Sequence, residues 1–311
     1  MTKALDRITL LETFVRIAER GSISAAARDL GLSQPSVSRQ LAELEHRFSA
    51  QLARRTTHEL SLTPAGVDLL GDARQLIDNW TAMTERHGQG KTDIGGRLKI
   101  VAPVALGQLH LADVMLQFQT SYPKVSIDWH LEDEPIRFAE TGCDCWIKVG
   151  TVRDESLIVR PLAQVERLVV AASSLAGKHV VKTPSDLERM PFAALDPFDG
   201  ARIKLESKTN KLQEIVPDVA VSTNNIFALH RAALMGTGAA VLPLWFVEDD
   251  LKTGRLVDIL PGWRAPTLTI NIAYLPGRHQ PIRLKKFIGH LYEATTGLPG
   301  FVATGGNDHE R

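Results

Sequence analysis

Apolar residues near the start of the chain recur at three- and four-residue steps, the period of an α-helix resting on a core. Leu10, Leu11, Phe14, Val15 and Ala18 predict a helix over about Thr9–Arg20. A shorter helix is expected over about Ile23–Leu30, where Ala25, Ala26 and Ala27 let a neighbour approach closely and Gly31 suits a left-handed exit. Ser33 is placed to cap the next helix, and Pro35 falls in its first turn, where no backbone donor is lost. On that helix Val37, Leu41, Leu44 and Phe48 share one sector and form the expected buried stripe. Pro35, Arg39, Glu43 and His46 point the opposite way, with Ser38 and Ala42 on the flank. Helices in this order, the third offering its start outward, make a helix-turn-helix.

Alternating and β-branched residues over Ala53–Pro64 predict a short hairpin, a wing in which Arg54 and Arg55 can reach a groove or a backbone phosphate. Thr63 and Pro64 then signal a helix that runs to about Arg86. Its apolar positions Val67, Leu70, Ala73, Ile77, Trp80 and Met83, with Leu69 and Leu76 beside them, form a stripe. No other long apolar helix stands nearby in sequence to cover it, so self-association is expected. Periodicity fails over His87–Gly96, where glycines predict a hinge. Gly90-Lys91-Thr92 is not a phosphate loop, because Glu85 occupies the position that motif reserves for glycine.

Beyond the hinge, strands and helices alternate. Strands are expected at Arg97–Ala102, Val125–Leu131, Cys145–Val149, Arg167–Ala172, Phe192–Leu195, Asp218–Ser222, Ala239–Leu242 and Thr267–Tyr274. Helices are expected at Gly107–Thr120, Ser185–Met190, Asn224–Met235 and Pro281–Thr295. Such repeats imply parallel sheets covered by helices, and more than one of them fits. Gly236 and Gly238 open a dinucleotide fingerprint, but Val241 stands where its third glycine belongs, so a helix-to-strand turn is the better account.

Composition agrees with this plan: 311 residues, 44% hydrophobic and 23% charged, can hold a small domain and one or two larger ones. No signal-like or membrane-length apolar run is visible, which leads to the expectation of a cytoplasmic protein. Cys143 and Cys145 have neither disulfide nor metal-pair spacing and read as reduced packing residues; no metal or cofactor is expected. The ten histidines form no metalloprotease pair, no nucleophile elbow occurs, and Glu132, Asp133 and Glu134 read as a solvated turn, so no catalytic residue is assigned. Residues 1–66 carry nine lysines and arginines against seven carboxylates, a net charge of +2. Affinity for DNA must then rest on placed contacts and on doubling of the module.

The chain resembles the LysR-type transcriptional regulators. The resemblance is carried by Phe14, Ala25-Ala26-Ala27, Leu30, Ser33-Gln34-Pro35-Ser36-Val37-Ser38, Gln40-Leu41, Leu44-Glu45, Leu52, Arg55 and Leu62-Thr63-Pro64-Ala65-Gly66. Farther on, Asp144, Ile147-Lys148-Val149-Gly150, Gly236–Pro243, Leu251 and Gly254-Arg255-Leu256-Val257 agree as well. It implies an α+β multidomain chain: a winged helix-turn-helix (1–66), a dimerising linker helix and hinge (67–96), and a two-subdomain α/β effector domain resembling periplasmic binding proteins. The first subdomain is placed at 97–163 and 268–300 and the second at 164–267, with crossings near Pro161–Glu166 and Gly262–Thr267 and a flexible tail at 301–311.

By the same resemblance Gln34, Pro35, Ser38 and Arg39 read bases, with Ser33, Ser36, Gln40 and Thr63 on phosphates and Arg54 or Arg55 in the wing. His58 and Ala53 depart from the arginine and phenylalanine frequent at those wing positions. Carboxyl ends of strands select Val104, Ala105 and Leu106, then Asp196, Phe198 and Arg202, then Thr223, Asn224 and Asn225 as effector contacts. The family commonly has a hydroxyl near Val104 and Ala105 and a small residue at Trp146; this chain has neither. Two alternatives stay open: Trp146 forms an aromatic wall for a more apolar effector, or it fills core. The implied partners are double-stranded operator DNA, a small-molecule effector, further copies in a dimer or tetramer, and RNA polymerase, with no membrane. A sensor or an enzyme without specific DNA binding is the competing reading.

Overall fold

A computed structural model of the chain describes residues 6–55, 60–87, 94–196, 202–277, 280–296 and 301–303. It divides into two compact units, one of Met1–Val101, Leu116–Trp146 and Tyr274–Ile288, the other of Ala102–Met115, Ile147–Ala273 and Gly289–Arg311.

The first unit opens with α1 (Arg7–Arg20), α2 (Ile23–Leu30) and α3 (Gln34–Phe48), packed around Phe14, Ile17, Val37, Leu41 and Leu44. Gly31 leaves α2 with φ 64°, the left-handed turn its position predicts. Three of the four residues expected in the stripe of α3 are buried, but Phe48 is 52% exposed. The cause is an end effect: Phe48 is the last helical residue, the backbone turns away at Ser49, and Leu52 enters the core instead.

The wing is the antiparallel pair β1 (Ala53–Arg55) and β2 (Leu60–Leu62), with Ala53 opposite Leu62. Glu45 ties it to α3 by accepting from the N–H groups of Leu52 and Ala53 at 2.9 and 3.2 Å. Residues 56–59, His58 among them, lie outside the described residues. In α4 (Pro64–His87) the apolar stripe divides. Leu70 and Ala73 are buried in the head core with Leu69 and Ile77 packed against it, whereas Leu76, Trp80 and Met83 are exposed.

The remaining elements are β3 (Gly95–Ala102), α5 (Val104–Leu106), a π-turn (Gly107–Leu111), α6 (Ala112–Ser121), β4 (Lys124–Leu131), α7 (Phe138–Thr141) and β5 (Cys145–Val149). Then come β6 (Ile158–Ala172), α8 (Ser173–Ala176), a 3₁₀ turn (Pro184–Arg189), β7 (Pro191–Leu195), β8 (Ile203–Ser207), β9 (Leu212–Ile215) and β10 (Asp218–Thr223). The chain ends with α9 (Ile226–Leu234), β11 (Ala239–Pro243), α10 (Leu244–Lys252), β12 (Leu256–Asp258), β13 (Trp263–Tyr274), α11 (Ile282–Thr295) and β14 (Phe301–Ala303).

Gly95 and Gly96, expected in the hinge, begin β3; residues 88–93 lie outside the described residues. In the first unit β3 and β5 run parallel, with Ile100 opposite Cys145. Cys143 and Cys145 are free and buried, and burial pushes both thiols up, Cys143 to about 12.

In the second unit β10, β7 and β11 run parallel, and β11 lies antiparallel on β6. Residues alternate across this sheet. Val169, Phe192 and Val241 enter one core; Leu168, Ala193 and Leu242 enter another with Leu229 and Val247 of the covering helices. The two segments expected as crossings lie in long strands of the second unit: 161–166 inside β6, and 263–267 at the start of β13. Two features differ from expectation. A hairpin, β8 with β9, rides on β13, and Phe301–Ala303, expected in a flexible tail, pairs with β6 as β14. Residues 304–311 lie outside the described residues. A Cβ on Gly238 would lie 2.6 Å from the carbonyl carbon of Phe192, so this glycine serves close strand approach, as a helix-to-strand turn requires. Among the described residues no helix is long and apolar enough to cross a membrane, and no cluster of three or more side chains could hold a metal.

Two glycines of α4 test the packing of the head. A Cβ on Gly66 would sit 2.0 Å from the Leu52 carbonyl oxygen, whereas Gly71 has no neighbour within 4 Å. Gly66→Ala should cost about 1–3 kcal/mol by forced displacement, and Gly71→Ala should gain up to about 1 kcal/mol of helix propensity. Urea midpoints of the full chain distinguish them, and equal shifts would contradict this geometry.

Candidate nucleic-acid interface

The first turn of α3 is built from its cap outward. Ser33 has extended backbone, and its Oγ accepts from the Ser36 N–H at 3.3 Å and lies 2.9 Å from the Ser36 hydroxyl. Pro35 carries no N–H, so the backbone donors that this helix start offers outward are those of Ser33 and Gln34, with the positive end of the helix dipole behind them. Ser33, Gln34, Pro35 and Arg39 are exposed on this turn, and Ser36 and Ser38 are half-buried. Arg54 is exposed on the wing; the side chain of Arg55 lies outside what is described.

Two residues expected on phosphates are turned inward instead. Gln40 is 6% exposed and its side-chain oxygen accepts from the buried Thr13 hydroxyl. Thr63 is also 6% exposed, its hydroxyl donating to the Gln51 carbonyl at 2.6 Å and accepting from the Gly66 N–H at 3.0 Å. Thr63 is thus the cap of α4, and both bonds of its hydroxyl are made inside the head. The resemblance alone assigned Gln40 to a phosphate; the signal missed was a polar Thr13 among the core positions of α1, which calls for a buried partner.

The expected effector residues gather in part. Leu195 at the end of β7 stands opposite Thr223 at the end of β10, and the Asp196 N–H donates to the Thr223 carbonyl at 2.9 Å. That main-chain bond holds Asp196, Thr223 and Asn224 together at the carboxyl edge of the parallel strands. Asn225 caps α9, its Oδ1 accepting from the N–H groups of Phe227 and Ala228 at 3.0 and 3.1 Å. That oxygen is therefore already engaged, and the amide nitrogen is the part left for a ligand. Arg202 is exposed and turns toward Glu214 on β9, 3.7 Å away. Val104 is half-buried, Ala105 and Leu106 are buried, and Phe198 lies outside the described residues. Trp146 is only 5% exposed, which favours the core-filling alternative.

An aromatic group escaped the sequence reading. His110, in the π-turn, meets Trp245 of α10 edge-on at 4.8 Å and Phe301 at 5.7 Å. Burial lowers the His110 pKa, favouring the neutral ring, and the buried Trp245 indole N–H has no hydrogen-bond partner among the described residues. Trp245 follows the carboxyl end of β11, so the strand-end rule that selected the other positions could have found it.

Comparison with known proteins accords with this arrangement. Residues 8–67 match the bacterial regulatory helix-turn-helix protein, lysR family, and residues 91–296 match the LysR substrate binding domain. The HTH-type transcriptional regulator PtxR of Pseudomonas aeruginosa is 31% identical over 299 residues, covering 94% of this chain and 96% of that protein. The crystal structure of ArgP from Mycobacterium tuberculosis is similar with a TM-score of 0.66 at 20% identity, over 94% of this chain and 98% of that one. Full-length LysG from Corynebacterium glutamicum with bound effector Arg gives 0.60 at 18% identity, over 93% and 99%. With both of its halves matched and an exposed, capped helix start in the first, this chain belongs to the LysR-type transcriptional regulators, which join a helix-turn-helix DNA-binding domain to an effector-binding domain.

Proposed function

We propose that this regulator works in the cytoplasm as a dimer or tetramer on operator DNA, reading bases through Gln34, Pro35, Ser38 and Arg39. The observation that carries the reading is the division of α3 into a buried side, with Val37, Gln40, Leu41 and Leu44, and an exposed first turn. An amide suits adenine, a guanidinium suits guanine, and Pro35 offers an apolar contact to a thymine methyl. Ser33 and Ser36, with the helix-start amides, suit a phosphate, and Arg54 and Arg55 belong to the wing. The division of labour runs as head 1–66, linker 67–96, effector subdomains at 97–163 with 268–300 and at 164–267. Leu76, Trp80 and Met83 supply the apolar face on which two linkers pair. The outcome is passed to RNA polymerase, and no catalytic step is part of the mechanism.

For the effector we propose a ligand more apolar or aromatic than a simple acid. No side-chain hydroxyl stands at Val104 or Ala105, the Asn225 oxygen is engaged, and His110 with Trp245 offers an aromatic surface and an indole donor. Binding shifts the arrangement of the paired heads only by the ligand's difference in affinity between the two states.

Two measurements follow. Arg39→Ala should lose about 1–3 kcal/mol and relax preference at one base pair, whereas Thr63→Ala should lower head stability by about 1 kcal/mol and leave sequence preference intact. Quantitative gel shifts on single-base operator variants, beside urea melts, read both; unchanged preference in the Arg39 variant removes its role. For the effector, a panel of aromatic and aliphatic acids is titrated while following tryptophan emission. Aromatic acids should quench, and Trp245→Phe should abolish the change; tight binding of a small aliphatic carboxylate, seen through Trp245, defeats the aromatic reading.

A further inference from the structure

A cavity of about 390 Å³ lies wholly inside the first compact unit. One wall comes from α1 and α4 of the head, and the other from the start of β3, the end of α7 and the segment before α11. Cations outnumber carboxylates among its lining residues. Arg16, Arg74, Arg97, Lys99 and Arg283 line it against the carboxylates of Glu12, Glu19 and Asp144.

Glu19 serves as the common acceptor, 3.4 Å from Arg16, 3.9 Å from Arg74 and in contact with Arg97. A single carboxylate cannot satisfy three guanidinium groups. Arg97 has a second partner in Asp128 and Arg16 a second in Asp29, 3.7 Å away, so Arg74 is the one of the three with no other carboxylate partner among the described residues; the Asp144 carboxylate is engaged with the Lys99 backbone N–H at 2.7 Å. Arg74 reaches the Ala139 carbonyl through one terminal nitrogen, yet its buried Nε has no hydrogen-bond partner among the described residues. A buried donor left unmet is costly unless a ligand meets it. Burial also lowers the pKa values of Arg74 and Lys99, the direction expected of cations short of counter-charge. Gly142 makes room for the Arg74 group: a Cβ there would lie 1.8 Å from its terminal nitrogen. Val15, Ile77, Phe138 and Leu284 add apolar lining to the same cavity.

We propose that this cavity is a second ligand site, taking a small carboxylic acid with an aliphatic body. The acid group binds Arg74 and Arg97 in competition with Glu19, and the hydrocarbon lies against Val15, Ile77 and Leu284. Because Glu19 belongs to α1 and Arg97 to β3, occupancy exchanges a bond between head and effector domain for bonds to the ligand, and so alters DNA affinity. The site stands independently of the effector reading above.

Hexanoate and inorganic phosphate, titrated calorimetrically at constant ionic strength against the full-length protein, provide the test. Hexanoate should bind once per chain and phosphate more weakly. The variant Arg74→Gln should weaken hexanoate at least about tenfold, and Trp245→Phe should leave it unchanged. Glu19→Gln should tighten it by removing the competing carboxylate, a gain that a merely structural ion pair would not give. In the unmodified protein, hexanoate should slow amide exchange at 95–99 and 138–144, which keeps the test valid if a variant fails to fold. No binding up to about 10 mM, equal binding of phosphate, protection confined to other segments, or loss in Trp245→Phe would each overturn the proposal.

Discussion

The orientation of the helices in the head depends on a buried polar contact, the Thr13 hydroxyl bonded to the Gln40 side chain beside the apolar core. Apolar stripes tolerate some rotation of a helix about its axis, because one aliphatic contact can replace another. A buried amide cannot be exchanged so freely, since leaving it unpaired forfeits its desolvation energy. The Thr13–Gln40 bond therefore fixes the rotation of α3 against α1. That rotation, with Ser33 setting where the helix begins, decides which side chains face outward. Turning α3 until Arg39 took the place of Gln40 would carry its guanidinium into the core and remove it from the exposed face.

Direction plays the corresponding part in the effector domain. A strand has two distinct ends, and the carboxyl ends of β7, β10 and β11 share an edge because the three run parallel. Asp196, Thr223, the start of α9 and Trp245 reach that edge for one reason, namely that each follows or ends a strand in this set. The long strand β6 supplies the antiparallel partner of β11, which is why residues 161–166 are extended backbone and not a loop.

Local signals in the sequence were sufficient for the elements whose determinants are local. The α2 bounds, the Ser33 cap and β5 follow from neighbouring residues alone, and the structure shows them where expected. Features set by distant partners were not legible. Phe48 keeps the helical phase of the stripe, yet the core it would enter is filled by Leu52. Gln40 and Thr63 carry groups suited to phosphate, and only the positions of Thr13, Gln51 and Gly66 show that those groups are engaged. Phe301–Ala303 reads as tail from the residues that follow it and becomes β14 because β6 extends far enough to pair with it. At the candidate effector site, Asn225 was legible as a helix start, while the His110–Trp245 contact joins residues far apart in sequence.

Charge sets what the proposed pairing of heads contributes to DNA binding. A net +2 over residues 1–66 gives weak attraction to any duplex. One head with a handful of base contacts therefore cannot separate an operator from the excess of competing sequence. Joining two heads makes the second docking event intramolecular, and its gain depends on how firmly the linker holds their spacing. Leu76, Trp80 and Met83 lie on that linker, beyond the residues that pack on their own head. In the proposed pair, apolar surface there stabilises the association, and through it raises selectivity without adding any charge to α3.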